Sequence, residues 1–251
     1  MPAFTPLQKA LAWATHAFTA SGMVAGFFAI VFIADHQFIE AWYCLISALV
    51  IDGVDGTLAR LFKVREVLPK VDGKLMDYVV DFANYAIIPG YFIYEAGKMV
   101  DGKWQYLLPE EYRGAAIALL LIVSVLYYGR EEMVSSDMYF KGFPVMWNGV
   151  AFYLFFVFDW TPEVNFAWIV FLSIAHFLPL KFIYPSRSTK FRIPNLVATV
   201  VILGSNLGLL AALALGSPQE WLRVASIASM VYFWGISLYH TFFDPSTRGV
   251  Q

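Results

Sequence analysis

A chain of 251 residues with 59% hydrophobic and only 14% charged residues lacks the polar surface of a soluble domain, in which about 25% of residues are charged. Seventeen basic against nineteen acidic residues give a net charge of −2, which excludes a broad basic nucleic-acid surface. A single cysteine, Cys44, excludes an internal disulfide framework and any cysteine-rich zinc or iron–sulfur site. What remains is a membrane protein, and an aromatic fraction of 18% suits one with interfacial belts.

In chain order, the N-terminal stretch offers only Lys9 as a basic residue before its first apolar run, so it does not read as a cleavable signal. Residues 6–15, with Trp13, read as an interfacial helix. A spanning helix needs about 20 mostly apolar residues. Such stretches fall near 17–34, 38–59, 75–96, 114–129, 144–160, 164–180, 194–215 and 221–242, the fourth and fifth being short. Pro89 and Pro179 are expected to kink their helices.

With the N-terminus in the cytoplasm, the outside connections hold four basic residues, Lys98, Lys103, Arg113 and Arg223, and the inside ones hold the other thirteen of the seventeen. That bias puts both termini in the cytoplasm and favours an even number of spans. The expectation is an all-α, polytopic helical membrane protein of about eight spans. Residues 1–251 form a single membrane-embedded domain, without internal repeat or separate hydrophilic domain.

The chemistry concentrates between Asp52 and Asp81. Asp52-Gly53-Val54-Asp55-Gly56-Thr57-Leu58-Ala59-Arg60 closes the second span, and Gly73-Lys74-Leu75-Met76-Asp77-Tyr78-Val79-Val80-Asp81 opens the third. At helical spacing Asp52 and Asp55 lie about 60° apart, and Asp77 and Asp81 about 40° apart. Consecutive antiparallel helices can therefore bring both pairs together near the cytoplasmic surface. A carboxylate within a span costs about 2.5–3.5 kcal/mol, so four call for cationic partners. Two divalent cations would bring +4 against −4, leaving Arg60 and Lys74 to balance a diphosphate, and carboxylate oxygens suit the hard ions Mg²⁺ or Mn²⁺. Gly53, Gly56 and Gly73 each cost about 1 kcal/mol of helix propensity, a cost explained if backbones or a bulky ligand approach closely there.

The pattern D-G-x2-D-G-x2-A-R followed by G-x3-D-x3-D resembles the signature of the CDP-alcohol phosphotransferases, with Asp52, Gly53, Asp55, Gly56, Ala59, Arg60, Gly73, Asp77 and Asp81 in place. Twelve residues separate Arg60 from Gly73, longer than is usual in the family. That gap, the eight spans and an aromatic-rich second half resemble the bacterial phosphatidylcholine synthase branch. The resemblance implies two Mn or Mg ions held by Asp52, Asp55, Asp77 and Asp81, with Asp81 also the general base. It implies contacts to CDP-diacylglycerol from Gly53, Gly56, Ala59, Arg60, Gly73 and Lys74. Polar residues of the first span, Thr15 to Gly22, would border the nucleotide. Choline would attack the diacylglycerol-linked phosphate of CDP-diacylglycerol and release CMP, in a bacterial inner membrane with the active site toward the cytoplasm. The partners are then CDP-diacylglycerol, choline and membrane lipid, without nucleic acid, and a homodimer stays open.

A quaternary ammonium calls for aromatic faces and a carboxylate. Residues 127–148, on the same side as the metal site, offer Glu131, Glu132, Asp137, Tyr139 and Trp147, although aromatics at a bilayer edge also serve as belt residues. The basic loop 181–192 reads first as the positive-inside signal, and second as a holder of lipid phosphate or a phosphorylated acceptor. The four histidines show no ligand spacing and read as structural. Inositol phosphate, glycerol phosphate or serine as acceptor remains an alternative within the same chemistry. A cation transporter is the alternative from another class, yet it predicts acids spread through the bilayer depth and gives the ordered Gly, Ala and Arg positions no role.

Overall fold

The computed structural model describes residues 4–131, 133–135, 138–184 and 190–244. Glu132 and Asp137, both expected at the choline site, and Arg187 of the basic loop lie outside the described residues. The chain divides into two compact units, one of residues 1–107 and 146–151, the other of 108–145 and 152–251.

The first unit opens with α1 (Pro6–Ala34), started by a reciprocal cap: Thr5 Oγ1 accepts from the Gln8 amide and Gln8 Oε1 accepts from the Thr5 amide, with Pro6 at the first helical position. The separate interfacial helix expected over 6–15 is instead the first turns of α1. No glycine or proline interrupts that junction, so helix propagation costs nothing extra there. The buried stripe of α1 runs Ala12, Thr15, Thr19, Gly22, Gly26, Ala29, Ile33, alternating steps of three and four and almost wholly small. Small side chains let helices approach closely in lipid. An added Cβ at Gly26 would lie 2.5 Å from Asn84 Oδ1 and 2.6 Å from Ile88 Cδ1.

Helix α2 (Phe38–Leu61) packs along α1 and is followed by the single turn α3 (Val64–Val67). The third helical body begins with α4 (Gly73–Phe82), capped by Asp72, whose carboxylate accepts from the amides of Lys74 and Leu75. It continues through a π turn (Ala83–Ile87) into α5 (Ile88–Glu95). Pro89 is the physical cause. It lacks the amide that would bond the Tyr85 carbonyl and its ring crowds that carbonyl, and the wider turn relieves both. Asn84, in this turn, donates from Nδ2 to the carbonyls of Gly22 and Val80, tying it to α1. A ribbon follows, β1 (Gly97–Val100) antiparallel to β2 (Lys103–Tyr106). Asp101 and Gly102 form its turn with φ of 50° and 74°, the left-handed pair of a type I′ hairpin. Trp104 of β2 lies 5.0 Å from His36 and stacks on Phe38.

The second unit holds α6 (Glu110–Tyr128), strand β3 (Tyr139–Lys141), a π turn (Tyr153–Val157), α8 (Pro162–Ala175), strand β4 (Lys181–Ile183), α9 (Arg192–Ala214) and α10 (Glu220–Phe242); the π turn continues α7 (Trp147–Phe152), which except for Phe152 belongs to the first unit. Strands β3 and β4 pair antiparallel, Phe140 opposite Phe182. Strand β4 is pinned to α10 by hydroxyls of Thr241 and Ser237, which accept from the Lys181 and Ile183 amides. Helices α9 and α10 are joined by the Tyr232 hydroxyl donating to Asn195 and by Ser226 donating to Asn206. His240 and Lys190 both bond Asp244, which is buried. Pro179 does not kink a helix, because α8 has already ended at Ala175; the residue before a proline disfavours the helical region.

The protein is therefore predominantly helical, and the all-α expectation is corrected by two short ribbons. Four described helices are long and apolar enough to cross a membrane: Pro6–Ala34, Glu110–Tyr128, Arg192–Ala214 and Glu220–Phe242. Helix α2 has the length, at 24 residues, but carries Glu40, Asp52, Asp55 and Arg60.

Candidate active site

Helix α1 packs against both α2 and α4, and so holds the two carboxylate pairs in one unit. Asp52 and Asp55 project from α2, Asp77 and Asp81 from α4. Asp52, Asp55 and Asp77 each offer an oxygen within 4.8 Å of the other two. Asp55 is 6% exposed, with Thr19 of α1, Asp52 and Arg60 as its polar and charged neighbours. Asp81 hydrogen-bonds Asp52 and faces the charges of Asp77 and Asp55. The expected convergence of four acids on two facing helices is present.

Among the described residues no lysine, arginine or histidine forms an ion pair with any of the four. Arg60 is exposed and folds back along α2, its Nη2 donating to Thr57 Oγ1 at 3.1 Å, while Lys74 lies 5.2 Å over the Tyr78 ring. Two carboxylates about 4 Å apart repel by roughly 4 kcal/mol at an effective dielectric of 20. A group of four without a cation is thus electrostatically incomplete. An oxygen-only donor set this tightly gathered fits hard divalent cations.

The glycines divide into two kinds. A Cβ on Gly53 would meet nothing within 4 Å, and one on Gly56 would meet only the Arg60 guanidinium at 3.4 Å. Helix packing does not explain these two, and the space over them is free for a ligand. Gly73 is different: its Cβ would lie 3.1 Å from Cε1 of His16, whose Nε2 is buried without a hydrogen-bond partner. Ala59 packs against Ala12, Val64 and Val67, which gives it a role in the core.

Sequence reasoning missed one neighbour of the cluster, Tyr85, while Thr19 and His16 fall within the stretch Thr15 to Gly22 that was expected to border the nucleotide. The Tyr85 hydroxyl donates to Asp52 Oδ2 at 2.7 Å. Thr19 borders Asp55, and His16 borders Gly73. A usable signal existed for Tyr85, which continues the spacing of four from Asp77 through Asp81. The acceptor residues are distributed between the units. Trp147 belongs to the first and is wholly buried. Glu131 and Tyr139 belong to the second, Glu131 exposed and Tyr139 buried, its ring 4.9 Å from that of His240 and under the Lys181 ammonium.

Against this geometry, the CDP-alcohol phosphatidyltransferase family matches residues 13–180, a span that contains all four aspartates. The chain belongs to this family. It is 36% identical to a phosphatidylcholine synthase of Pseudomonas aeruginosa over 94% of each chain. It is 33% identical to one of Rhizobium meliloti over 97% of this chain and 96% of the relative. It is 37% identical to one of Legionella pneumophila over 74% and 69%. No solved structure matches it. The protein is an enzyme of the CDP-alcohol phosphotransferase type, and its apolar helices make it an integral membrane protein.

Proposed function

We propose that this chain joins choline to the diacylglycerol-bearing phosphate of CDP-diacylglycerol, giving phosphatidylcholine and CMP at the four-aspartate cluster. The observation that carries this reading is the set of three carboxylate oxygens within 4.8 Å of one another, bordered by Asp81 and, among the described residues, in no ion pair with a basic side chain. Asp52, Asp55, Asp77 and Asp81 would hold two divalent ions, Mn or Mg. Such ions, when bound, neutralise a diphosphate and stabilise the attacking and leaving oxygens of a phosphoryl displacement. Asp81 takes the choline hydroxyl proton as the oxygen–phosphorus bond forms, and the bond from that phosphorus to the bridging oxygen breaks, its electrons leaving with CMP. The open faces of Gly53 and Gly56 admit the diphosphate, and Arg60, free to swing from Thr57, pairs with it. Gly73 and Lys74 line the start of α4 on the same side.

Choline is held in this reading by Glu131, Glu132, Asp137, Tyr139 and Trp147, a carboxylate-and-aromatic set suited to a quaternary ammonium. Residues 1–251 act as a single membrane-embedded domain of eight spans. Both termini and the active site face the cytoplasm of a bacterial inner membrane. The basic-residue bias of thirteen to four supports that orientation. Assembly as a homodimer belongs to the same reading, and the mass of the solubilised particle checks it. The deciding experiment supplies purified protein with CDP-diacylglycerol, Mn²⁺ or Mg²⁺ and a panel of alcohols, scoring CMP and lipid product. Choline should give phosphatidylcholine, with activity abolished by chelation and restored by metal. Product from inositol phosphate, glycerol phosphate or serine, but not choline, would overturn the acceptor assignment.

A further inference from the structure

We propose that Tyr85 is a positioning residue of the metal centre, holding Asp52 in the orientation that a divalent cation requires. This inference rests on the metal assignment above. Its ground is the contact from Tyr85 Oη to Asp52 Oδ2, at 2.7 Å in the range of charge-assisted O–H···O⁻ bonds.

Asp77, Asp81 and Tyr85 recur every four residues. In a straight α-helix each such step drifts by about 40°, so a third member would leave the stripe by about 80°. The π turn over Ala83–Ile87, imposed by Pro89, rotates less per residue and keeps Tyr85 in line with the acids. Asn84 in the same turn bonds the Gly22 carbonyl, so α1 fixes the turn from the opposite side. The tyrosine thus stands on a braced, irregular element, a frequent support for functional side chains.

What the hydroxyl does follows from the shape of a carboxylate. Asp52 has two oxygens on a freely rotating terminal group. Engaging Oδ2 fixes the plane in which the group presents an oxygen to the volume shared with Asp55 and Asp77. Asp52 also hydrogen-bonds Asp81 and repels Asp55 and Asp77, so without an anchor its ionised group would turn from its neighbours. Partners that orient a ligand in this way change metal affinity by about 10–100-fold when removed. The Tyr85 hydroxyl thus does for Asp52 what the Thr19 hydroxyl does for Asp55, holding the carboxylate from a neighbouring element.

The test is substrate-free titration of the purified apoprotein with Mn²⁺, followed by electron paramagnetic resonance, on wild type, Tyr85→Phe, Asp52→Asn and the double variant. The expected result is a loss of about 10-fold in Mn²⁺ affinity for Tyr85→Phe, with little further loss when it is added to Asp52→Asn. Activity should fall most at limiting metal, and the Michaelis constant for choline should not move. The thermal midpoint of the apoprotein separates this from a purely structural bond. A lowered midpoint with wild-type Mn²⁺ affinity overturns the inference while leaving the metal site intact. Wild-type affinity in Asp52→Asn removes the metal assignment of Asp52, and the role of Tyr85 with it.

Discussion

At the scale of single residues, the cluster assigns different work to chemically identical side chains. Asp52, Asp55 and Asp77 present oxygens to a common volume, whereas Asp81 stands at its border, bonded to Asp52. Asp81→Asn should therefore leave the protein folded and able to bind Mn²⁺ weakly, while lowering turnover by about 10²–10⁴-fold. Near-normal turnover in that variant would remove Asp81 from the proton transfer. Arg60 hydrogen-bonds Thr57, a neighbour on its own helix, so its removal costs the fold little. Arg60→Ala should raise the Michaelis constant for CDP-diacylglycerol and leave that for choline unchanged. Steady-state kinetics with each substrate varied in turn will show which constant moves, and a change confined to choline would contradict the phosphate role.

At the scale of elements, glycines separate packing from ligand access. Gly26→Ala drives a methyl to 2.5 Å from Asn84 Oδ1 and 2.6 Å from Ile88, so α1 must shift away from the third helical body. The expected loss is about 1–3 kcal/mol, read as a lower thermal midpoint in detergent. Gly53→Ala meets no protein atom, so stability should hold or rise by up to about 1 kcal/mol, yet activity should fall as the methyl enters the diphosphate space. A stable and fully active Gly53→Ala would refute ligand approach at that face. Most of the described helices were legible because each is an apolar run of helical length, and the carboxylate faces followed from spacing alone. The β1–β2 ribbon carried a local signal, the Asp101-Gly102 turn, that a reading by hydropathy passes over. Strands β3 and β4 carried none, being three residues each and separated by about forty residues of chain. Tyr85 continued the spacing of four from Asp77 and Asp81, but its alignment with them depends on a π turn at which only Pro89 hints.

At the scale of the whole molecule, the property to account for is the choice of acceptor. The two units divide the described residues proposed for choline, and among these no single contact selects an alcohol. Hydration distinguishes the candidate alcohols. Ethanolamine is smaller than choline and also cationic, but a primary ammonium is strongly hydrated and needs hydrogen-bond acceptors on leaving water. A trimethylammonium loses less on leaving water and gains from aromatic faces, by up to about 2 kcal/mol when desolvated, or roughly 30-fold in a binding constant. Choline should accordingly be the efficient substrate and ethanolamine a poor one, in a direct competition scored by lipid product. Trp147 is wholly buried, so its truncation to alanine would cost about 3–5 kcal/mol of folding and confound the kinetics. Trp147→Phe and Tyr139→Leu retain more of the packing, and each should raise the Michaelis constant for choline while sparing that for CDP-diacylglycerol. If both variants bind choline as wild type does, the ammonium is recognised elsewhere in the chain. Equal use of ethanolamine would instead remove the aromatic account altogether, with the aspartate cluster and its phosphotransfer chemistry unaffected.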